Sequence, residues 1–192
     1  EHLKKRFISI GRRLGMKVAV IITDGNQPIG NGIGPLLEIL DVIKVLKNDP
    51  SAPQDLRKKG LMMSGVLLEL TGKAKRGEGE KMAGELVTSG RALRKFHEII
   101  AAQGKKRMPM PARFHFNMTA KTAGRIQEIH NKAIAHLARI AGAPRARNAG
   151  LLLRKKVGDS VQPGDILFTI YAASPDRLKY ALEFTQSSPL YV

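Results

Sequence analysis

Three glycines at alternate positions, Gly30, Gly32 and Gly34, follow Thr23-Asp24-Gly25-Asn26-Gln27-Pro28 and precede Pro35. Neither a helix nor a strand tolerates that pattern, so it predicts a loop. A β-branched run stands just before the loop and a helical pattern just after it. In open α/β sheets, ligands sit where strands end and helices begin. The glycine spacing lacks both the dinucleotide fingerprint and the lysine of a phosphate-cradling loop. On the motif alone, a tight structural connection accounts for it as well as a ligand site does. A second source of chemistry is basic: Lys105-Lys106-Arg107 and Arg154-Lys155-Lys156, with Arg145 and Arg147 near the latter. Such runs neutralise phosphates. His97 has no histidine or carboxylate four residues away with which to pair, so it reads as a packing or surface residue. No cysteine is present, which removes disulfides, thiolate metal sites and cysteine nucleophiles.

The elements that would position these groups follow from periodicity. Leu3, Phe7, Ile10 and Leu14 mark one helical face, and Gly15 ends it. Val18 to Ile22 is short and β-branched, which predicts a buried central strand. Pro35 fits the first turn of a helix carrying Leu36, Leu37, Leu40, Ile43, Val45 and Leu46, fading at Asn48-Asp49-Pro50. From Gln54 a second helix carries Leu56, Leu61, Met62, Met63, Val66, Leu67, Leu68 and Leu70. It is apolar nearly all round, the mark of a buried core helix whose methionines fill gaps. Gly72 ends it, KAKRGEGE is a solvated loop, and shorter helices follow at Glu80 to Ser89 and Arg91 to Gln103.

Residues 105–112, KKRMPMPA, have the composition of a linker. The expected division is therefore an α/β part over 1–104, the linker, and a small α+β domain over 113–192. In the second part the spacing predicts strands near Arg113 to Asn117 and Gly124 to Ile129, and a helix from Asn131 to Ala141. Short strands at Leu151 to Leu153, around Val157 and Val161, and at Ile166 to Tyr171 are punctuated by Gly-Asp turns. A last helix runs from Pro175 to about Phe184. The fold class expected for the first part is α/β, part of a mostly parallel sheet with flanking helices.

The chain has 192 residues and a net charge of +17. Residues 1–104 carry 18 basic and 11 acidic groups and residues 105–192 carry 15 and 5, so the excess is spread over both parts. Three tyrosines and six phenylalanines form no base-stacking pair. A solvated basic surface is the favoured reading, and nucleic acid is not an expected partner. The competing reading, a basic RNA-binding module, requires tight and steeply salt-dependent RNA binding. No apolar run reaches membrane-spanning length and no secretory segment opens the chain, so a cytoplasmic location and no membrane partner are expected. The chain starts at Glu1, inside a helical pattern, and is expected to be a fragment lacking its N-terminal part.

Two stretches carry a family resemblance. Gly15-Met16-Lys17 through Thr23-Asp24-Gly25-Asn26-Gln27-Pro28-Ile29-Gly30, with Gly34-Pro35-Leu36-Leu37-Glu38, resembles the thymidine and pyrimidine-nucleoside phosphorylases, a family that includes AMP phosphorylases. Gly124 to Tyr171, with Ala138-Arg139-Ile140-Ala141-Gly142-Ala143-Pro144, is similar to the C-terminal domain of the same family, in the same order. Val157 to Leu167 also resembles the hammerhead turn of biotinyl and lipoyl carrier domains. It lacks their lysine-bearing hairpin, so the likeness is architectural.

The phosphorylase resemblance implies that a nucleoside and inorganic phosphate, the co-substrate, give a free base and a pentose 1-phosphate. Thymidine is the expected nucleoside and AMP the alternative, and the longer protein is expected to be a homodimer. The family's phosphate loop and its pyrimidine-gripping Arg, Ser and Lys lie upstream of the stretch at which this chain starts. No catalytic or substrate-binding residue is therefore assigned here, and the chain alone is expected to be inactive. The resemblance does imply one supporting site, for a monovalent cation such as potassium, held by backbone carbonyls of Ile29 and Gly32 and by the carboxylate of Asp41. The family usually has glutamate where Asp41 stands, and a solvated helix carboxylate is the alternative reading of that residue.

Overall fold

The computed structural model describes every residue except Lys105, Lys106 and Pro189. The two lysines, part of the expected linker, lie outside the described residues. The N-terminal half holds α1 (His2–Arg13), the short β1 (Gly32–Ile33), α2 (Pro35–Leu46), α3 (Gln54–Leu70), α4 (Gly79–Thr88) and α5 (Arg91–Ala102). The C-terminal half holds β2 (Phe114–Thr119), β3 (Gly124–Arg125), α6 (Asn131–Ala141), β4 (Gly150–Leu153), β5 (Ser160–Val161), β6 (Ile166–Ala172) and α7 (Pro175–Ser187).

The main sheet has the order β1-β4-β6-β2, and each pairing in it is antiparallel. The pair β3-β5 forms a second antiparallel sheet. Along β4 and β6 the side chains alternate: Leu151, Leu153, Phe168, Ile170 and Ala172 are all buried on one face. Helix α6 sets Ile134, Leu137 and Ala141 against that face, and α7 adds Ala181. Ser174 caps α7, its Oγ accepting the Arg177 N–H at 3.2 Å, with Pro175 in the first turn. This cluster is the main core: its fully buried members lie within residues 120–190, with Ile33 and Phe114 packed against it from outside.

Two expectations of the sequence are corrected, and a third is not met among the described residues: both of their sheets are antiparallel, and a mostly parallel sheet is not seen in them. Val18 to Ile22 forms no strand: among the described residues no neighbouring strand pairs with it, and Ala19, Ile21 and Ile22 stand in solvent, Ile22 being 64% exposed. Helix α3 is not a buried core helix; only Gly65 is fully buried, while Met63 and Leu67 are more than half exposed. Gly65 is buried because the backbone of Gly79 and Glu80, at the start of α4, lies where a side chain would go. Smaller differences occur around the Gly-Asp turns. The strand expected to Ile129 ends at Arg125, and residues 156–159 form a turn.

One strand was hidden in the glycine run. Gly32 and Ile33 pair with Leu152 and Leu151, which carries the loop onto the edge of the main sheet. Gly32 is required there because a Cβ would collide with the backbone of Leu37 in the next helix. Gly34, at φ 113°, passes so close that a Cβ would lie 2.5 Å from the Ala149 carbonyl oxygen.

Candidate functional site

The start of α2 organises the loop around it. Pro35 occupies the first turn, and the Glu38 carboxylate, four residues past the N-cap, reaches back to accept the Gly34 N–H at 2.9 Å, satisfying a backbone donor at the helix start. One turn further, Asp41 is 4% exposed, so it is not a solvated helix residue. Its Oδ2 accepts the N–H of Asn31 at 2.6 Å and of Gly32 at 2.7 Å. Two backbone donors on a buried carboxylate oxygen are charge-assisted bonds that hold the loop to the helix.

From the opposite direction the loop is held by the turn after β4. The Lys156 ammonium donates to the Pro28 carbonyl at 2.6 Å, to the Gly30 carbonyl, and to Asp55 Oδ2 at 3.2 Å. Asp55, in the first turn of α3, also accepts the Gly30 N–H at 3.2 Å. Beside them the Val157 N–H donates to Gln27 Oε1 at 3.0 Å. Asn31 offers its carbonyl to the Leu153 N–H at 2.8 Å, continuing the edge pairing of β1. At the near end, Asn131 Nδ2 donates to the Gly25 carbonyl at 2.8 Å.

Ile29, Gly32 and Asp41 are brought together. They share, with Glu38, the wall of one cavity of about 370 Å³. Among the described residues, neither the Ile29 carbonyl nor Asp41 Oδ1 accepts a hydrogen bond. An oxygen-only donor set with a single carboxylate suits a hard cation of low charge. Among the described residues no group of three or more His, Asp or Glu side chains is placed to hold a metal ion, so any cation held here would rely on carbonyls. A second cavity, of about 430 Å³, lies on the other side of Ile29, between Thr23-Asp24 and the Asp55, Lys58 and Lys59 edge of α3. There Lys59 Nζ donates to the Asp24 carbonyl at 3.3 Å.

Lys156, Asp55 and Gln27 were not singled out by the sequence. The signal for Lys156 was the Arg154-Lys155-Lys156 run, which reads as a solvated surface. In the structure its two lysines point at different partners. Lys155 bonds Asp165 Oδ2 at 3.0 Å and the Ser160 carbonyl at 3.2 Å, closing the turn between β5 and β6. With the Gln162 N–H also donating to it, the Asp165 carboxyl is held below the usual aspartate range, the Lys155 bond being the larger cause. The Tyr191 hydroxyl donates to the Lys155 carbonyl at 3.0 Å while its ring stacks on Phe168, and burial pushes its pKa well above the usual tyrosine value. His97 lies on α5 beside Phe96, away from the loop. No helix of the described residues is long and apolar enough to cross a membrane.

Residues 125–188 match the family described as pyrimidine nucleoside phosphorylase C-terminal domain. A protein of Methylococcus capsulatus named "Putative thymidine phosphorylase" is 44% identical across 98% of this chain. A Legionella pneumophila protein of the same name is 42% identical across 94% of it. The AMP phosphorylase of Methanococcus maripaludis is 43% identical across 96% of it. The matches cover 37%, 35% and 37% of those three proteins, so the chain spans just over a third of the length of the curated relatives it matches. The chain thus carries at residues 125–188 the C-terminal domain of the pyrimidine nucleoside phosphorylase family, and along nearly its whole length it is similar to proteins named for thymidine and AMP phosphorylase.

Proposed function

We propose that the chain is a segment of a longer cytoplasmic nucleoside phosphorylase, a pentosyltransferase that converts thymidine and inorganic phosphate into thymine and 2-deoxyribose 1-phosphate. The observation that carries this reading is 44% identity along nearly the whole chain to a protein named for that activity. In the reaction a phosphate oxygen forms a bond to the anomeric carbon as the C–N bond breaks, and the base leaves with the electron pair and takes up a proton. Catalysis requires a cationic phosphate site, a grip on the leaving base and closure over an oxocarbenium-like centre. The residues for these tasks belong to the part of the protein preceding this sequence, and none of residues 1–192 is assigned to the reacting atoms.

This chain supplies support. Ile29 and Gly32 carbonyls with Asp41 would hold a monovalent cation such as potassium, which steadies the loop when bound. In the longer protein, Val18 to Ile22 joins a mostly parallel sheet, which gives its exposed β-branched face a neighbour. Residues 1–104 then complete an α/β domain, 105–112 link it to the 113–192 domain, and two copies pair as a homodimer. A second reading, AMP phosphorylase, is favoured by the 43% identity to the Methanococcus maripaludis enzyme.

The test is phosphate-dependent release of base by the longer protein, with thymidine, uridine and AMP offered separately. Thymine release that needs phosphate supports the first reading, and release of adenine alone moves the assignment to the second. Absence of any phosphate-dependent release refutes both. Residues 1–192 assayed alone are expected to be inactive, and turnover by them would place the essential groups within this segment.

A further inference from the structure

Among the described residues, the backbone groups of the loop from Pro28 to Gly32 are nearly all engaged. The Pro28 and Gly30 carbonyls go to Lys156, the Gly30 N–H to Asp55, the Asn31 and Gly32 N–H groups to Asp41, and the Asn31 carbonyl to Leu153. Ile29 and the Gly32 carbonyl are the exceptions: the Ile29 carbonyl sits between two that are held, and among the described residues neither carbonyl accepts a hydrogen bond. A lysine ammonium has three donors and no acceptor, and here all three are directed at oxygens of residues 28, 30 and 55. The Lys156 side chain is 20% exposed, so it is withdrawn from the solvent where lysines ordinarily stay. Its position is fixed independently, because the next residue, Val157, is bonded to Gln27.

We propose that Lys156 is a positioning residue for the phosphorylase reaction: acting as a built-in monovalent cation on one side of the loop, it fixes the carbonyls of Pro28 and Gly30. The Ile29 carbonyl, of a residue lining the Asp41 cavity, is thereby left free between the two that are held. The proposal rests on the phosphorylase reading for its functional consequence and on the loop geometry alone for its structural one. No other described basic residue contacts these carbonyls, so the positive charge between residues 28 and 30 disappears with Lys156. A small primary ammonium ion is the chemical group that would replace it.

The experiment uses Lys156→Ala and Lys156→Met, with two readouts. The first is amide hydrogen exchange at Asn31 and Gly32 in the 192-residue chain, with and without propylammonium. Losing bonds to a charged donor is expected to speed exchange about tenfold or more in both variants. Propylammonium is expected to restore protection in Lys156→Ala, which leaves room for it, and not in Lys156→Met. The second readout is steady-state kinetics of the longer protein, where KM for phosphate is expected to rise more than kcat falls, again with amine rescue of Lys156→Ala alone. Unchanged exchange at Asn31 and Gly32 overturns the proposal. So does faster exchange without rescue, since that marks general loosening of the fold. A wild-type protein without phosphorolysis defeats the functional reading, and the exchange and rescue results then decide the role of Lys156 by themselves.

Discussion

Replacing Asp41 by alanine removes one oxygen that ties two backbone amides of the loop to α2. Each bond is charge-assisted and short, 2.6 Å to Asn31 and 2.7 Å to Gly32, and the carboxylate is 4% exposed. A hydrogen bond to a charged group contributes about 1.5–3 kcal/mol, and two on one oxygen sum to less than twice that. Releasing the carboxylate from its buried site returns part of the loss. The net destabilisation expected for Asp41→Ala is therefore about 2–4 kcal/mol. Asp41→Asn keeps a carbonyl oxygen for the same amides and is expected to cost about half as much. Urea unfolding of the 192-residue chain, followed by circular dichroism, measures both against wild type. Potassium separates the two roles of Asp41. If the carboxylate also holds a cation, potassium at ten times its Kd stabilises wild type by about 1.4 kcal/mol and leaves Asp41→Ala unchanged. An Asp41→Ala chain within about 0.5 kcal/mol of wild type would refute the argument that these bonds hold the loop.

Three further perturbations follow from the same geometry. Gly34→Ala must place a Cβ 2.5 Å from the Ala149 carbonyl oxygen at a φ of 113°, and is expected to cost about 2 kcal/mol or more, read as a lowered urea midpoint and faster exchange across the β1-β4 pairing. Tyr191 must stay protonated to donate to the Lys155 carbonyl, and burial raises its pKa. Its contribution is complete below the ordinary tyrosine range and is lost as the pH climbs above it, a decline that Tyr191→Phe should abolish while costing about 1 kcal/mol at neutral pH. Asp165 is held below its ordinary value of 3.8, chiefly by Lys155, so its contribution is present above that value and is lost as the pH falls through the lower folded-state value. Asp165→Asn is expected to flatten that part of the acid unfolding curve, and an unaltered curve would count against the Lys155 contact.

The parts of the fold that were legible in the sequence are those settled locally. Helix α2 announces itself by Pro35 and its apolar spacing, and α6 by Ile134, Leu137, Ala138 and Ile140, of which it buries the first three, with Ala141 buried and Ile140 only partly so. The parts that were not legible depend on partners far along the chain. Val18 to Ile22 has the composition of a strand, and composition cannot supply a neighbouring strand. Gly32 and Ile33 have the composition of a loop, yet β4 recruits them to a sheet edge. Helix α3 carries enough leucine and methionine for a core, but packing buries it only at the Gly65 crossing with α4. At the candidate site the glycine run could be picked out by its alternation, and Asp41 only through the family resemblance, a carboxylate on a helix being otherwise commonplace. Lys156 could not, since a lysine that is one of three basic neighbours in a Gly-Asp turn looks like any solvated lysine until the loop 126 residues earlier is brought to it.

That separation has a bearing on biosynthesis. A ribosome releases Gln27 to Gly32 long before it has added Leu151 to Val157, and the loop's edge strand, its lysine and its Gln27 anchor all come from the later segment. Contacts so distant along the polypeptide form late, after local helices have already condensed. A nascent chain halted before residue 150 would thus carry the glycine run tied to α2 and α3 by Asp41 and Asp55 but still lacking its partner strand and its lysine.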